Sequence, residues 1–228
     1  TIYIFLIQCY VLLRKEVGTL SQIKFHTHSD VWCVAMILGA GRGRRMGSSI
    51  PKQYISLGRD NPMRRSLKVF YDHPEVNDIL PIIHADDINM FEETSSDIKI
   101  MSPVIGGNTR QESVRAGLNF LSTLTITPEI VLIHDSVRPF VTQSLISSVI
   151  FSLKDNVGVI PALPITDTVK KSCTNRKIHK TLNRSKLWRT QTPQGFRFNE
   201  ILAAHEEFKS EKVSDDSEIL EYTGAEIA

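Results

Sequence analysis

Apolar and polar positions fall in blocks along this chain, and the blocks define its elements. VWCVAMIL (31–38) is a continuous apolar run that breaks abruptly at glycine. A strand covered on both faces reads this way, because neither face needs polar residues. DILPIIHADD (78–87), DIKIMSPVIGG (97–107) and VGVIPALP (157–164) are further strand candidates, and Ile130–Ile133 is the clearest core strand. Between them lie segments with helical spacing. SLKVFYDH (66–73) places Leu67, Phe70 and Tyr71 near one face, and TRQESVRAGLNFLST (109–123) does the same with Val114, Leu118 and Leu121. DINMFEET, TQSLISSVIFSLK (142–154) and FNEILAAHEEF (198–208) are the other predicted helices.

Strands that alternate with helices predict an α/β fold built on an open, mostly parallel sheet. In such sheets ligands bind beyond the C-terminal ends of the strands. Polar clusters fall there at three places: the loop after Leu38, the Gly106–Arg110 loop, and His134-Asp135. Residues 165–190 differ in texture. They are polar, basic and poor in core residues, which predicts an excursion from the domain, a hairpin arm.

Composition narrows the function classes. The 228 residues are 41% hydrophobic, enough for a sizeable core. The net charge of +2 argues against nucleic-acid binding, while local basicity at Arg42, Arg44, Arg45 and Lys52 suits a small anion. Cys9, Cys33 and Cys173 lie too far apart for metal spacing or a disulfide framework, which points to a reducing, cytoplasmic setting. TIYIFLIQCYVLL, near the start, is shorter than the roughly 20 residues of a membrane span, and its basic residues follow the apolar run rather than precede it. No membrane association is expected, and residues 1–30 read as a loosely ordered, non-catalytic extension.

The stretch GAGRGRRMGSSIPKQ (39–53) carries the candidate chemistry. Gly39, Gly41 and Gly43 leave room for backbone N–H groups to meet phosphate. Glycine spacing alone permits a dinucleotide loop, a triphosphate loop or a plain turn. The terminal Gly-Lys-Ser/Thr of a Walker A loop is missing. Arg44, Arg45 and Lys52 tip the balance towards a site that stabilises charge on a reacting phosphate, and Pro51 fixes the backbone beside Lys52. Asp135 is either a Mg²⁺ ligand or a capping carboxylate. His134 either caps or packs. Arg138 is suited to bidentate phosphate binding. Asn108, Arg110 and Ser113 flank a Gly-Gly turn that can read a base.

These motifs together resemble the 2-C-methyl-D-erythritol 4-phosphate cytidylyltransferase family. The resemblance rests on LGAGRGRRM (38–46), PKQY (51–54), GGNTRQESVRAGL (106–118), VLIHDSVRPFV (131–141), PITDTVK (164–170), LNRSKLWRTQTPQGF (182–196) and SDDSEILEYTG (214–224), in family order over about residues 31–226. It implies a Rossmann-like sheet with helices on both faces and a protruding dimerisation arm over about 165–190, within a nucleotidyltransferase domain spanning 31–228. Arg45 and Lys52 would be the catalytic pair. Gly39, Ala40, Gly41, Arg42 and Gly43 would wrap the phosphates of CTP, and Gly107, Asn108 and Ser113 would contact the cytidine. Asp135 and Arg138 would face the sugar phosphate, with Asp135 at the Mg²⁺ site. Thr168 and Arg184 would grip the substrate phosphate from an arm that reaches a partner subunit, giving a homodimer with shared sites.

The texture also resembles the bifunctional form, in which this domain is fused to the later cyclodiphosphate synthase of the same pathway. Ser214 stands at a usual threonine, keeps the hydroxyl, and is assigned to substrate binding. Ser136-Val137 replaces the usual Ala-Ala, and the bulk of valine is expected to crowd the loop. The family's last strand, with its substrate-binding lysine, and its final helix are expected after Ala228. The alternatives are a ribitol-5-phosphate or other sugar-phosphate cytidylyltransferase, and an inactive, truncated dimerisation domain.

Overall fold

A computed structural model describes residues 31–42, 50–173, 176–209 and 211–228. The 1–30 extension, Cys9, Gly43, Arg44 and Arg45 lie outside the described residues. A six-stranded sheet forms the centre, in the order β3-β2-β1-β4-β10-β5. Its strands are β1 (Cys33–Gly39), β2 (Asp78–Ile83), β3 (Val104–Ile105), β4 (Ile130–Asp135), β5 (Gly158–Val159) and β10 (Gln194–Arg197). β1, β2, β3 and β4 pair in parallel, and β10 runs antiparallel to both β4 and β5. The sheet is therefore α/β and mostly parallel, as the alternating blocks predict.

The uninterrupted apolar run of β1 has a direct cause. Cys33, Ala35 and Ile37 point into one core, with Met63, Leu67 and Phe70 of helix α1 (Pro62–Tyr71) and Ile146, Val149 and Ile150 of α4 (Gln143–Ser152). Val34, Met36 and Leu38 point into the other, with Val114, Leu118 and Leu121 of α3 (Arg110–Ser122) and Ile219 and Leu220 of α6 (Asp216–Tyr222). Each face of the strand is buried, so period-two alternation disappears. Helix α2 (Ile88–Ser95) joins the first face and α5 (Phe198–Glu207) the second.

Several expectations need correction. The predicted helix at 66–73 begins four residues earlier, where Asn61 accepts a hydrogen bond from the Arg64 N–H and Pro62 opens the helix. Of 97–107, only Val104 and Ile105 pair as a strand. The stretch 157–164 splits. β5 stays in the central sheet, whereas β6 (Ala162–Pro164) leaves it to pair with β9 (Trp188–Thr190). β10 and α6 were not anticipated.

The polar stretch 165–190 does form an excursion. Its hairpin β7 (Lys170–Ser172) and β8 (Ile178–Thr181) is exposed throughout. At the far edge of the sheet, Ile227 bridges Gly158 in parallel, and the Ala228 N–H donates to the Gly158 carbonyl at 3.0 Å. Among the described residues, no helix is long and apolar enough to cross a membrane.

Candidate active site

The strand order makes the chain leave β1 towards β2 and β3, then return to the other side at β4. A crevice opens at that switch point, beyond the C-terminal ends of β1 and β4. Leu38 and Asp135 are register partners there, and the Ser136 N–H donates to the Leu38 carbonyl at 3.0 Å. The crevice holds a cavity of about 710 Å³, within the range that suits a small-molecule ligand. Its walls are residues 38–42, Lys52 and Gln53, His84, residues 107–110 with Ser113, and residues 135–137. The three polar clusters expected at strand ends therefore meet in one place.

The glycine-rich wall is held from behind. Gln53, in the short 3-10 helix Lys52–Tyr54, donates to the Gly39 carbonyl at 2.6 Å and to Asp87 at 3.4 Å. Asp87 is fully buried and accepts from the Arg42 guanidinium at 2.6 Å. One carboxylate and one amide thus tie both ends of the 39–42 segment. Gly41 stands open among the described residues, since a Cβ there would meet none of them within 4 Å, which leaves its backbone accessible from that side. Lys52 reaches the same cavity half-buried.

The second wall opens α3. Thr109 and Glu112 form a capping box, and the Glu112 carboxylate also accepts from the Asn108 N–H at 2.7 Å. The Ser113 hydroxyl donates to the Thr109 carbonyl at 2.8 Å and keeps its lone pairs as acceptors. Gly106 lets the two walls meet, because a Cβ there would lie 2.6 Å from the Ala40 Cβ and 2.7 Å from the Ser113 hydroxyl.

The third wall is charged. Asp135 accepts from Arg110 Nε on one oxygen and from Arg138 Nε on the other, each at 3.2 Å. Burial pushes the carboxyl group up, but the two guanidinium groups outweigh it and hold it below its ordinary range. Asp135 is therefore ionised at neutral pH. Arg138 stands beside the cavity rather than on its wall, and its other arm donates to Gln191 at 2.6 Å. Val137 lines the cavity half-buried. His134 is packed, which resolves that alternative. Its Nε2 meets the Arg138 carbonyl at 3.2 Å, so that nitrogen carries the proton, and Nδ1 accepts from the Thr192 hydroxyl at 2.9 Å. Burial pushes its pKa down to about 4.

Three predicted site residues stand elsewhere in the chain. Thr168 and Arg184 are exposed on the arm, and Arg184 donates to the Thr166 carbonyl of the same arm. Ser214 is exposed, with both its N–H and its hydroxyl on Glu218 at 2.7 Å. Sequence reasoning missed Gln53, Asp87 and Asp216. Gln53 sat inside a quoted motif. Asp87 had no signal beyond an acidic pair after a strand, and Asp216 sat inside SDDSEILEYTG but accepts a hydrogen bond from Arg110, 106 residues away.

The family model for 2-C-methyl-D-erythritol 4-phosphate cytidylyltransferase matches residues 33–228. The chain is 39% identical over 194 residues to the "Bifunctional enzyme IspD/IspF" of Paramagnetospirillum magneticum, covering 85% of this chain and 50% of that protein. It is 42% identical over 195 residues to the protein of the same name from Rhodospirillum rubrum, with the same coverage. The chain thus spans about half the length of the curated relatives it matches. The 4-diphosphocytidyl-2C-methyl-D-erythritol synthase structure from Anaerococcus prevotii superposes with a TM-score of 0.75 at 30% identity, over 86% of this chain and 85% of that one. The cytidylyltransferase from Francisella tularensis gives 0.70 at 29%, over 86% and 88%. With the family's motifs in order along the chain and its cavity at the strand ends, this chain belongs to the 2-C-methyl-D-erythritol 4-phosphate cytidylyltransferase family.

Proposed function

We propose that this chain transfers the cytidylyl group of CTP to 2-C-methyl-D-erythritol 4-phosphate, forming CDP-methylerythritol and pyrophosphate in non-mevalonate isoprenoid biosynthesis. The observation that carries this reading is the meeting of the open glycine loop, Lys52 and ionised Asp135 around one cavity. The reaction is an in-line displacement. A 4-phosphate oxygen of the sugar phosphate attacks the α-phosphorus of CTP, and the bond from that phosphorus to the bridging oxygen breaks. The nucleophile is already anionic near neutral pH, since the second pKa of a phosphate monoester is about 6. No strong base is needed, and charge stabilisation and positioning carry the rate. Lys52 supplies positive charge from the cavity wall, and Arg45 is assigned the same role. Gly39–Arg42 and Gly43 receive the phosphates, and Gly107, Asn108 and Ser113 receive the nucleoside.

A divalent cation, Mg²⁺ by preference, fits the donor set. Mg²⁺ commonly takes one or two protein carboxylates and completes its shell with phosphate oxygens and water. Asp135 offers an ionised carboxylate at the cavity wall, with two of its roughly four lone-pair sites occupied by guanidinium groups. The cation would neutralise charge on the bound phosphates.

The arm supports a homodimer. Leu163, Ile178 and Trp188 are large apolar side chains exposed on it, and a second copy would cover them and bring Thr168 and Arg184 to the sugar phosphate. Ser214 belongs to the same substrate-binding assignment. The fused synthase of the bifunctional relatives is a further expected partner. The wide spacing of Cys9, Cys33 and Cys173 along the sequence supports a cytoplasmic setting.

The test is pyrophosphate release from CTP with Mg²⁺ and either methylerythritol 4-phosphate or ribitol 5-phosphate. The reading predicts release that depends on methylerythritol phosphate. Faster release with ribitol 5-phosphate would overturn the substrate assignment, and none with either would overturn the activity.

A further inference from the structure

The SDDSE segment (214–218) was assigned to substrate through Ser214, yet Ser214 turns back onto Glu218. Asp215 caps α6, accepting from the Glu218 N–H at 3.2 Å. Asp216 does something else. It opens the helix with its side chain buried, and one of its oxygens accepts from Arg110 Nη1 at 2.6 Å. Its other oxygen lies 3.4 Å from Nε2 of His205 on α5, which is also fully buried.

We propose that Asp216, backed by His205, is a positioning residue that sets the orientation of Arg110 and, through Arg110, of the Asp135 carboxylate in the cavity. This inference rests on the cytidylyltransferase reading for its catalytic consequence. The geometry carries it. A guanidinium is planar and its donors form a rigid fork, so fixing Nη1 on Asp216 fixes the direction of Nε. That Nε holds Asp135 at 3.2 Å. Arg110 is a long side chain with several rotatable bonds, and held by Asp135 alone it would swing.

The helix start does not need this second carboxylate, because Asp215 and Glu218 already serve it. Burying a carboxylate is costly unless it is paired, and here the pair leads to the cavity wall. His205 adds a second observation. Its Nε2 packs 3.4 Å from the second Asp216 oxygen, a close contact between two buried groups rather than a hydrogen bond.

The test follows the Arg110 Nε–H resonance by NMR in the full chain, identified by its loss in Arg110→Lys. In the parent it should be a sharp signal protected from water exchange. Asp216→Asn should broaden it or erase its protection, and His205→Gln should do so in part. Kinetics supply the second readout. Asp216→Asn should lower kcat about tenfold, yet cost less than about twofold more in an Arg110→Ala background, because residues that act through one another are not additive. An unchanged resonance in Asp216→Asn, or equal losses of kcat with and without Arg110, overturns the proposal. Should Asp216→Asn fail to fold, His205→Gln carries the same comparison with about a threefold loss in kcat. If the parent releases no pyrophosphate, the activity reading fails, while the resonance still decides whether Asp216 positions Arg110.

Discussion

The cavity and the arm are built on opposite plans. Around the cavity, the polar groups are pinned by hydrogen bonds from behind. Asp135 is held on both oxygens, Arg42 by Asp87, and the Gly39 carbonyl by Gln53. On the arm, β7, β8 and β9 are exposed along their whole length, and Thr168 and Arg184 do not line the strand-end cavity. The difference separates two jobs. On the proposed function, the sheet end is preorganised for an anionic ligand before it arrives, which is where electrostatic catalysis gains most. On the same proposal, the arm's Thr168 and Arg184 would need a second surface to complete a site. The two regions touch through Arg138, which holds Asp135 with one nitrogen and Gln191, at the base of the arm, with another.

The sharpest way to break this contrast is Lys52→Ala. It should lower kcat by about 10²–10³, the scale of losing one preorganised group at a developing charge, while the melting temperature stays within a few degrees because Lys52 is only half-buried. Equal activity would make Lys52 a surface charge. Next in size is a pH effect from beneath the cavity. His134 is neutral when folded, with its pKa pushed to about 4 by burial, against 6.5 for the ordinary side chain. The unfolded chain therefore binds the extra proton first, and stability falls as the pH drops from about 6.5 towards 4, by roughly 3 kcal/mol in all. His73, also pushed down by burial, adds to the loss in the same direction. Urea melts at stepped pH would show it, and His134→Gln should flatten the slope.

Smaller effects belong to the loop and then to the arm. Asp87→Asn frees Arg42 and weakens the Gln53 anchor, so the KM for CTP should rise about tenfold, equivalent to 1.4 kcal/mol, with kcat less affected. Arg184→Ala should raise the KM for the sugar phosphate by about tenfold and Thr168→Ala by about threefold, the scales of a charged and a neutral hydrogen bond. In mixed dimers either arm variant should complement Lys52→Ala by leaving one intact composite site. Absence of complementation would place the arm outside the active site.

Legibility in the sequence followed burial. β1 and β4 were plain because both of their faces lie in core, which forces continuous apolar runs. The arm was plain for the opposite reason. β10 escaped because QGFR is short and contains glycine and arginine, and its place is set by pairing with β4 and β5 rather than by its own pattern. α6 escaped because DSEILEY offers only Ile219 and Leu220 to the core among polar neighbours. The split of 157–164 at Ile160-Pro161 is a change of sheet, which period-two patterns do not record. Within the site, the loops at strand ends could be read from fold class alone. The supports behind them could not, since Asp87 lies 45 residues from Arg42 and Asp216 lies 106 from Arg110.

On the proposed function, the cavity at the ends of β1 and β4 is a CTP site. A crystal structure of the protein soaked with CTP and Mg²⁺ tests it most directly. The triphosphate should lie against Gly39–Arg42 and Lys52, with the cytosine at Gly107, Asn108 and Ser113. CTP bound elsewhere, or a cavity left empty at saturating CTP, would contradict it.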